Sequence, residues 1–169
     1  MIPDSSRRNL LRGKLRRIDG KVMRPPGASV QFDALCDDCG ACARACPEGI
    51  VVRSDSGGPV LDFSYGACTF CNQCVQACPT GALTEEASGD WPWTAKVLDS
   101  CLSLAGVTCR ACDDACAPRA IRFRLMTGGR ALPDLDPATC TGCGACAHTC
   151  PAGAIAFTRH TPAKTEMTA

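Results

Sequence analysis

An α+β fold of two small tandem modules, preceded by a basic arm, is predicted by three observations. Sixteen cysteines occur in 169 residues, they fall into four repeating runs, and short β-type segments flank each run. Only 5% of the residues are aromatic, while 16 Gly and 12 Pro punctuate the chain. A chain of this length normally buries about two-thirds of its extended surface. With so few large side chains, much of that burial has to form around something the cysteines hold. The composition excludes a collagen or a coiled coil, and no run of about 18 apolar residues exists to span a membrane.

The arm, residues 1–27, comes first. Residues 1–30 carry eight basic side chains against Asp4 and Asp19; the rest carries ten against fifteen, within a net charge of +1. The arm reads as a solubilising tail or as a docking arm for an acidic partner, a membrane surface or a nucleic acid. Leu11, Leu15, Ile18 and Val22 form an apolar stripe at helical spacing, weakened by Gly13 and Gly20. The segment Ser6-Arg7-Arg8-Asn9-Leu10-Leu11-Arg12 looks like a twin-arginine export signal. Gly13-Lys14-Leu15-Arg16-Arg17 then follows in place of an apolar segment, without a small-residue cleavage site, so the arm is not read as exporting the chain.

The first module spans 28–88. Ala28–Phe32 leads into Cys36, Cys39, Cys42 and Cys46-Pro47, a C-x2-C-x2-C-x3-C-P run, and Gly49–Val52 follows it. A turn at Ser56-Gly57-Gly58-Pro59 separates this from Val60–Phe63, which leads into the same string at Cys68, Cys71, Cys74 and Cys78-Pro79. Ala82–Thr84 closes the module. Glu85 to Trp93 reads as a linker, with Trp91 and Trp93 as packing residues over the joint.

The second module spans 89–160. Its first run is altered: Cys101, Cys109, Cys112 and Cys116 keep the last three cysteines in register, but the first lies eight positions upstream instead of three. Ala120–Leu125, a turn at Thr127-Gly128-Gly129 and Leu132–Leu135 lead to the regular run Cys140, Cys143, Cys146 and Cys150-Pro151. Ala154–Thr158 follows, and 161–169 is a C-terminal tail.

C-x2-C-x2-C-x3-C-P is the run by which bacterial ferredoxins bind [4Fe–4S] clusters, so both modules are expected to be bacterial ferredoxin-like. Three thiolates two residues apart fold a tight loop over three iron corners, the fourth follows on a short helix, and the proline turns the chain away. Soft thiolates suit iron–sulfur chemistry. Structural zinc favours separated C-x2-C pairs or added histidines, and only His148 and His160 exist; a disulfide scaffold needs no repeated spacing. All sixteen cysteines are therefore candidate ligands. Four clusters are expected, or three if Cys101, Cys109, Cys112 and Cys116 form a decayed copy in place of a loop bowed outward over Leu102 to Thr108.

In two-cluster ferredoxins the fourth cysteine of each run ligates the other run's cluster. This groups Cys36, Cys39 and Cys42 with Cys78, and Cys68, Cys71 and Cys74 with Cys46. It likewise groups Cys101, Cys109 and Cys112 with Cys150, and Cys140, Cys143 and Cys146 with Cys116. No enzyme constellation is present: His148 reads as a surface residue or a donor near a cluster sulfur, not a catalytic base. Asp37-Asp38 and Asp113-Asp114 read as solvated loop charges. Nucleic-acid binding is disfavoured, because the arm lacks aromatic residues for stacking and the body is acidic.

Ser6-Arg7-Arg8-Asn9-Leu10-Leu11-Arg12-Gly13, Arg24-Pro25-Pro26 and the four runs with their stretched third copy resemble the NapF family of ferredoxin-type proteins of the periplasmic nitrate reductase system. The resemblance implies a cytoplasmic protein with three or four [4Fe–4S] clusters. It further implies an interaction with the precursor of the molybdenum-containing catalytic subunit, NapA, before export, and a part in its maturation by cluster insertion or by setting its redox state. The competing reading is a plain carrier passing single electrons to a redox partner. Spacing does not separate them, since such clusters span about −700 to +450 mV according to hydrogen bonding and exposure.

Overall fold

The computed structural model describes residues 22–55, 57–89 and 91–159. The arm up to residue 21, with Leu11, Leu15 and Ile18 of its stripe, lies outside the described residues, as do His160 and the tail 161–169. The chain falls into two compact units that cut across the repeat. Among the described residues, one holds those from 22 to 62 and 71–89; the other holds 63–70 and 91–159.

The first unit contains helical turns α1 (Phe32–Leu35) and α2 (Ala41–Ala45), the hairpin β1 (Val51–Arg53) and β2 (Pro59–Leu61), and the helical turn α3 (Gln73–Gln76). A 3-10 turn, Glu86–Ser88, ends it. The hairpin is antiparallel, with Val52 opposite Val60 and Arg53 opposite Pro59. Its core is small: Ile50 and Ala82 are almost wholly buried, joined by Phe32, Val51, Val75 and Leu83.

Ala28–Phe32, expected to be extended, is not a strand. It contributes a single antiparallel bridge, Ala28 to Leu83, which is also all that remains of the strand expected over Ala82–Thr84. The Ser29 carbonyl accepts from the Phe32 N–H at 3.0 Å and the Gln31 carbonyl from the Leu35 N–H at 3.1 Å, winding the segment into α1. Burial of Phe32 outweighs the β preference of Val30, whose side chain is left wholly exposed.

The second unit contains β3 (Trp93–Val97), α4 (Ala111–Asp114), β4 (Ile121–Leu125), β5 (Ala131–Leu135), α5 (Ala145–His148) and β6 (Ile155–Arg159). Strands β4 and β5 form an antiparallel hairpin, and β3 pairs antiparallel with β6, Trp93 opposite Arg159 and Val97 opposite Ile155. The linker reading is thus overturned at its end. Trp93, Thr94 and Ala95 are buried, and their pairing with β6 makes β3 a structural strand. Trp91 stands edge-on to Phe70, ring centroids 6.1 Å apart.

Burial in this unit does centre on cysteine. Its core joins Ala95 and Ile121 to Cys112 and Cys146, with Cys116, Cys140, Phe123 and Phe157 packed against them. Strand β4 shows the expected period of two: Ile121 is buried, Phe123 half-buried, and Arg122 and Arg124 point to solvent. The helices, at four or five residues each, are too short to be stable alone, so tertiary contacts hold them.

Candidate metal centres

Every cysteine lies in a loop or a one-turn helix, and all sixteen are free of disulfides. In the three regular runs the residue after the second cysteine has a positive φ: Gly40 at 71°, Asn72 at 59° and Gly144 at 86°. That left-handed step reverses the chain, so the third cysteine starts the next helical turn on the same side as the first two. The altered run lacks it. Arg110 there has φ −137° and closes the turn by pairing with Asp113 at 2.6 Å.

Two hollows in the second unit are framed by thiols. One is lined by Cys101, Cys109, Cys112 and Cys150, with Phe123 and Ile155 among its apolar walls. The other is lined by Cys140, Cys143, Cys146 and Cys116, with Ala95 and Ile121. Each gathers three cysteines of one run and the last cysteine of the other. In the first unit Cys36 and Cys74 lie near enough to the Cys42 sulfur to act on it electrostatically. Cys68 belongs to the second unit, its N–H donating to the Cys143 carbonyl at 2.7 Å, whereas Cys71, Cys74 and Cys78 belong to the first.

Backbone N–H groups point at the sulfurs. Ala120 donates to Cys116 Sγ and Ala154 to Cys150 Sγ, each at 3.2 Å, and Ala95 donates to Cys140 Sγ at 3.4 Å. The first two arise from the shared tails after each last cysteine, where the fourth residue on is turned back toward the sulfur. Cys78 shows the same effect: burial pushes its thiol up, but the N–H groups of Leu83, Thr80 and Ala82 and the Thr80 hydroxyl outweigh this and draw it below the usual range. Ala95 carries no such signal, because the sulfur it meets belongs to Cys140, 45 residues on.

The centres of the runs are the most buried. Burial, aided by neighbouring cysteines, pushes the Cys42 and Cys112 thiols up to about 11 and Cys146 up to about 12. Free thiolates are therefore disfavoured there, whereas iron holds a coordinating thiol deprotonated. Four soft donors round an apolar hollow, with N–H groups aimed at the sulfurs, fit a [4Fe–4S] cluster. Such a group supplies one-electron transfer. Among the described residues no three His, Cys, Asp or Glu side chains close on a single metal ion.

Two expectations change. Asp38 is not a solvated loop charge: it pairs with Arg53 on β1 and accepts from the Gly58 N–H at 3.2 Å, tying the first cysteine loop to the hairpin. Asp113 is likewise engaged, by Arg110. His148 is exposed on the last turn of α5.

The 4Fe–4S dicluster domain family matches residues 27–83 and again 107–154. Over 154 residues the chain is 39% identical to the ferredoxin-type protein NapF of Escherichia coli strain K12, covering 90% of this chain and 93% of that one. It is 38% identical over 160 residues to the ferredoxin-type protein NapF of Haemophilus influenzae, covering 88% and 91%. The methylamine utilization ferredoxin-type protein MauM of Paracoccus denitrificans is 33% identical over 160 residues, 83% of this chain and 71% of that one. Among the described residues no helix is long and apolar enough to cross a membrane.

Proposed function

The chain belongs to the NapF family of ferredoxin-type proteins, and from that premise we propose that it is a cytoplasmic iron–sulfur accessory protein. It acts on the catalytic subunit of a periplasmic nitrate reductase, NapA, before that subunit is exported, by cluster insertion or by setting its redox state. The observation that carries this reading is the extent of the match: nine-tenths of the chain aligns with a NapF protein, well beyond the two dicluster segments.

In this reading all sixteen cysteines are ligands and four clusters are held, grouped by exchange of the last cysteine between paired runs. The two ferredoxin-like modules are 28–88 and 89–160. The thiol-lined hollows of the second unit support the grouping, since each collects three cysteines of one run and one of the other. The chain's own part is to bind the clusters, exclude water from them and donate N–H groups to their ligands; no substrate turnover is assigned to it.

The deciding experiment is anaerobic co-purification from cytoplasmic extract, probing for the unexported catalytic subunit. Recovery of the precursor without the mature form supports the assignment. Its absence, with iron near four clusters per chain, overturns the maturation role in favour of electron carriage. The exposure of Cys39 and Cys71 is the observation favouring that second reading, because it leaves two ligand positions open to a colliding redox partner.

A further inference from the structure

The backbone N–H of the first cysteine separates one run from the other three. In three runs its partner is a carbonyl of the run's own lead-in: Cys36 donates to Phe32 at 2.9 Å, Cys101 to Leu98 at 3.0 Å and Cys140 to Asp136 at 3.2 Å. The longer loop of the third run is also fastened within its own module, the Ser103 hydroxyl donating to the Ala131 carbonyl. Cys68 breaks the pattern. Its N–H donates to the carbonyl of Cys143 at 2.7 Å, the shortest of the four. A candidate ligand of the second run is thereby bonded, backbone to backbone, to a candidate ligand of the fourth.

Packing holds this contact from both sides. Upstream of Cys68, Phe63 is buried, its ring lies where a Cβ on Gly144 would stand, and the Phe157 ring is 4.9 Å away between centroids. Downstream, Phe70 stands edge-on to Trp91, whose indole fills the space beside Gly142. The second run has Phe70 where the fourth has Gly142. A large ring on one loop and bare backbone on the other let the two loops close on each other. Residues 63–70, Trp91 and the fourth run all belong to the second unit, so the contact lies inside one compact body.

From sulfur to sulfur the path runs along Sγ–Cβ–Cα–N–H of Cys68, across one hydrogen bond, and along O=C–Cα–Cβ–Sγ of Cys143. No gap is left to be crossed through space. We propose that Cys68 and Cys143 join the two modules electronically, so that the four cysteine sets form one line for single electrons, in the order first, second, fourth and third run. Within each module the link is the run itself, because a short stretch such as Cys42 to Cys46 or Cys112 to Cys116 ties together the two sets that exchange their last cysteines.

The step between modules is a one-electron exchange. The centre on Cys68 loses one electron and is oxidised; the centre on Cys143 gains it and is reduced. No proton moves, and no bond forms or breaks. The electron enters the line from a low-potential one-electron donor, which is dithionite in the experiment below. The inference rests on the ligand sets of the proposed function and not on its partner. The Cys68–Cys143 link holds whichever last cysteine closes each set.

The test is electron paramagnetic resonance of the full chain, loaded with clusters and reduced anaerobically with dithionite. Reduced centres that neighbour one another broaden and split each other's signals, whereas a centre without a neighbour gives a sharp, unsplit signal. Cys39→Ala removes the first-run centre, and the second-run centre is expected to stay split because the fourth remains beside it. Cys71→Ala removes the second-run centre and is expected to leave the first-run centre sharp. Cys109→Ala and Cys143→Ala repeat the comparison in the other module: the fourth-run centre stays split in the former, and the third-run centre turns sharp in the latter. Iron and labile sulfide fall by one cluster in each variant, and if a variant in one module loses both of its clusters, the pair in the other module decides. A sharp signal in Cys39→Ala or Cys109→Ala overturns the line and leaves the proposed function standing. A signal that stays wholly split in Cys71→Ala or Cys143→Ala overturns the order of the sets. Wild-type iron that leaves the second or fourth run empty overturns the ligand sets of the proposed function and the line with them.

Discussion

The Arg24 guanidinium lies over the Phe32 ring, 5.1 Å from its centroid, and from there reaches the β1–β2 turn. It donates to the Pro59 carbonyl at 3.0 Å and the Gly57 carbonyl at 3.3 Å, and it meets Asp33 at 3.4 Å. One side chain thus holds α1 and the hairpin together in a unit whose core is small. Removing it gives up a cation–π contact and charge-assisted hydrogen bonds, so Arg24→Ala should destabilise the cluster-loaded protein by about 1–3 kcal/mol. Arg24→Lys, lacking the planar fork, should recover under half of that loss. Anaerobic denaturant titration followed by cluster absorbance measures both; a lysine variant equal to wild type would remove the stacking argument.

Gly142 precedes Cys143 with φ 69°, and an added Cβ there would overlap the Trp93 backbone carbonyl and the Trp91 indole. Backbone on backbone has no flexible end to move aside. Gly142→Ala should therefore cost the cluster of the fourth run, lowering iron by about a quarter of the wild-type total. Gly153, at φ 57°, has open space around its Cβ position, and Gly153→Ala should cost only the left-handed backbone penalty of about 1–2 kcal/mol with iron unchanged. Iron and labile sulfide per chain separate the two.

The two thiol-lined hollows make a claim about pairs of cysteines. Cys150→Ser should remove the same electron paramagnetic resonance component as Cys109→Ser, and Cys116→Ser the same component as Cys143→Ser. If Cys150→Ser instead matched Cys143→Ser, each run would be holding its own cluster.

Asp136 leads into the fourth run. Its carboxylate accepts from the Thr139 hydroxyl at 2.5 Å and the Ala138 N–H at 3.0 Å, which hold its pKa below the usual carboxylate value. A group depressed in this way stabilises the fold above its unfolded pKa and loses that contribution as pH falls through its folded pKa. Asp136→Ala should therefore bleach faster than wild type near neutral pH, and the gap should narrow as the pH drops below about 4. Bleaching rates of both proteins across an acid series give the test; a gap that widened in acid would reverse the sign.

Much of this architecture was legible in the cysteine spacing and in the Gly and Pro punctuation, because both report local backbone demands. The left-handed step after the second cysteine is written as Gly40 and Gly144, and Ile121 to Leu125 alternates apolar residues with Arg122 and Arg124. What escaped depends on distant partners. Trp93 reads as the end of a linker until β6 pairs with its strand, and Ala28–Phe32 reads as a strand until Phe32 is buried and its N–H finds Ser29. Asp38 looks solvated until Arg53, fifteen residues on, is brought to it. Ser103 has no signature at all, since its value lies in reaching Ala131.

The pairing of β3 with β6 also bears on how the protein is made. Trp93–Val97 leaves the ribosome early in the second unit, but its partner, Ile155–Arg159, is synthesised only after both remaining cysteine runs. Throughout that interval the edge of β3 is unpaired and eight thiols of the third and fourth runs lack their closing strand. Closure of β3 therefore waits for Ile155–Arg159, and a nascent chain halted before Ile155 exposes both the strand edge and the thiols to aggregation and oxidation.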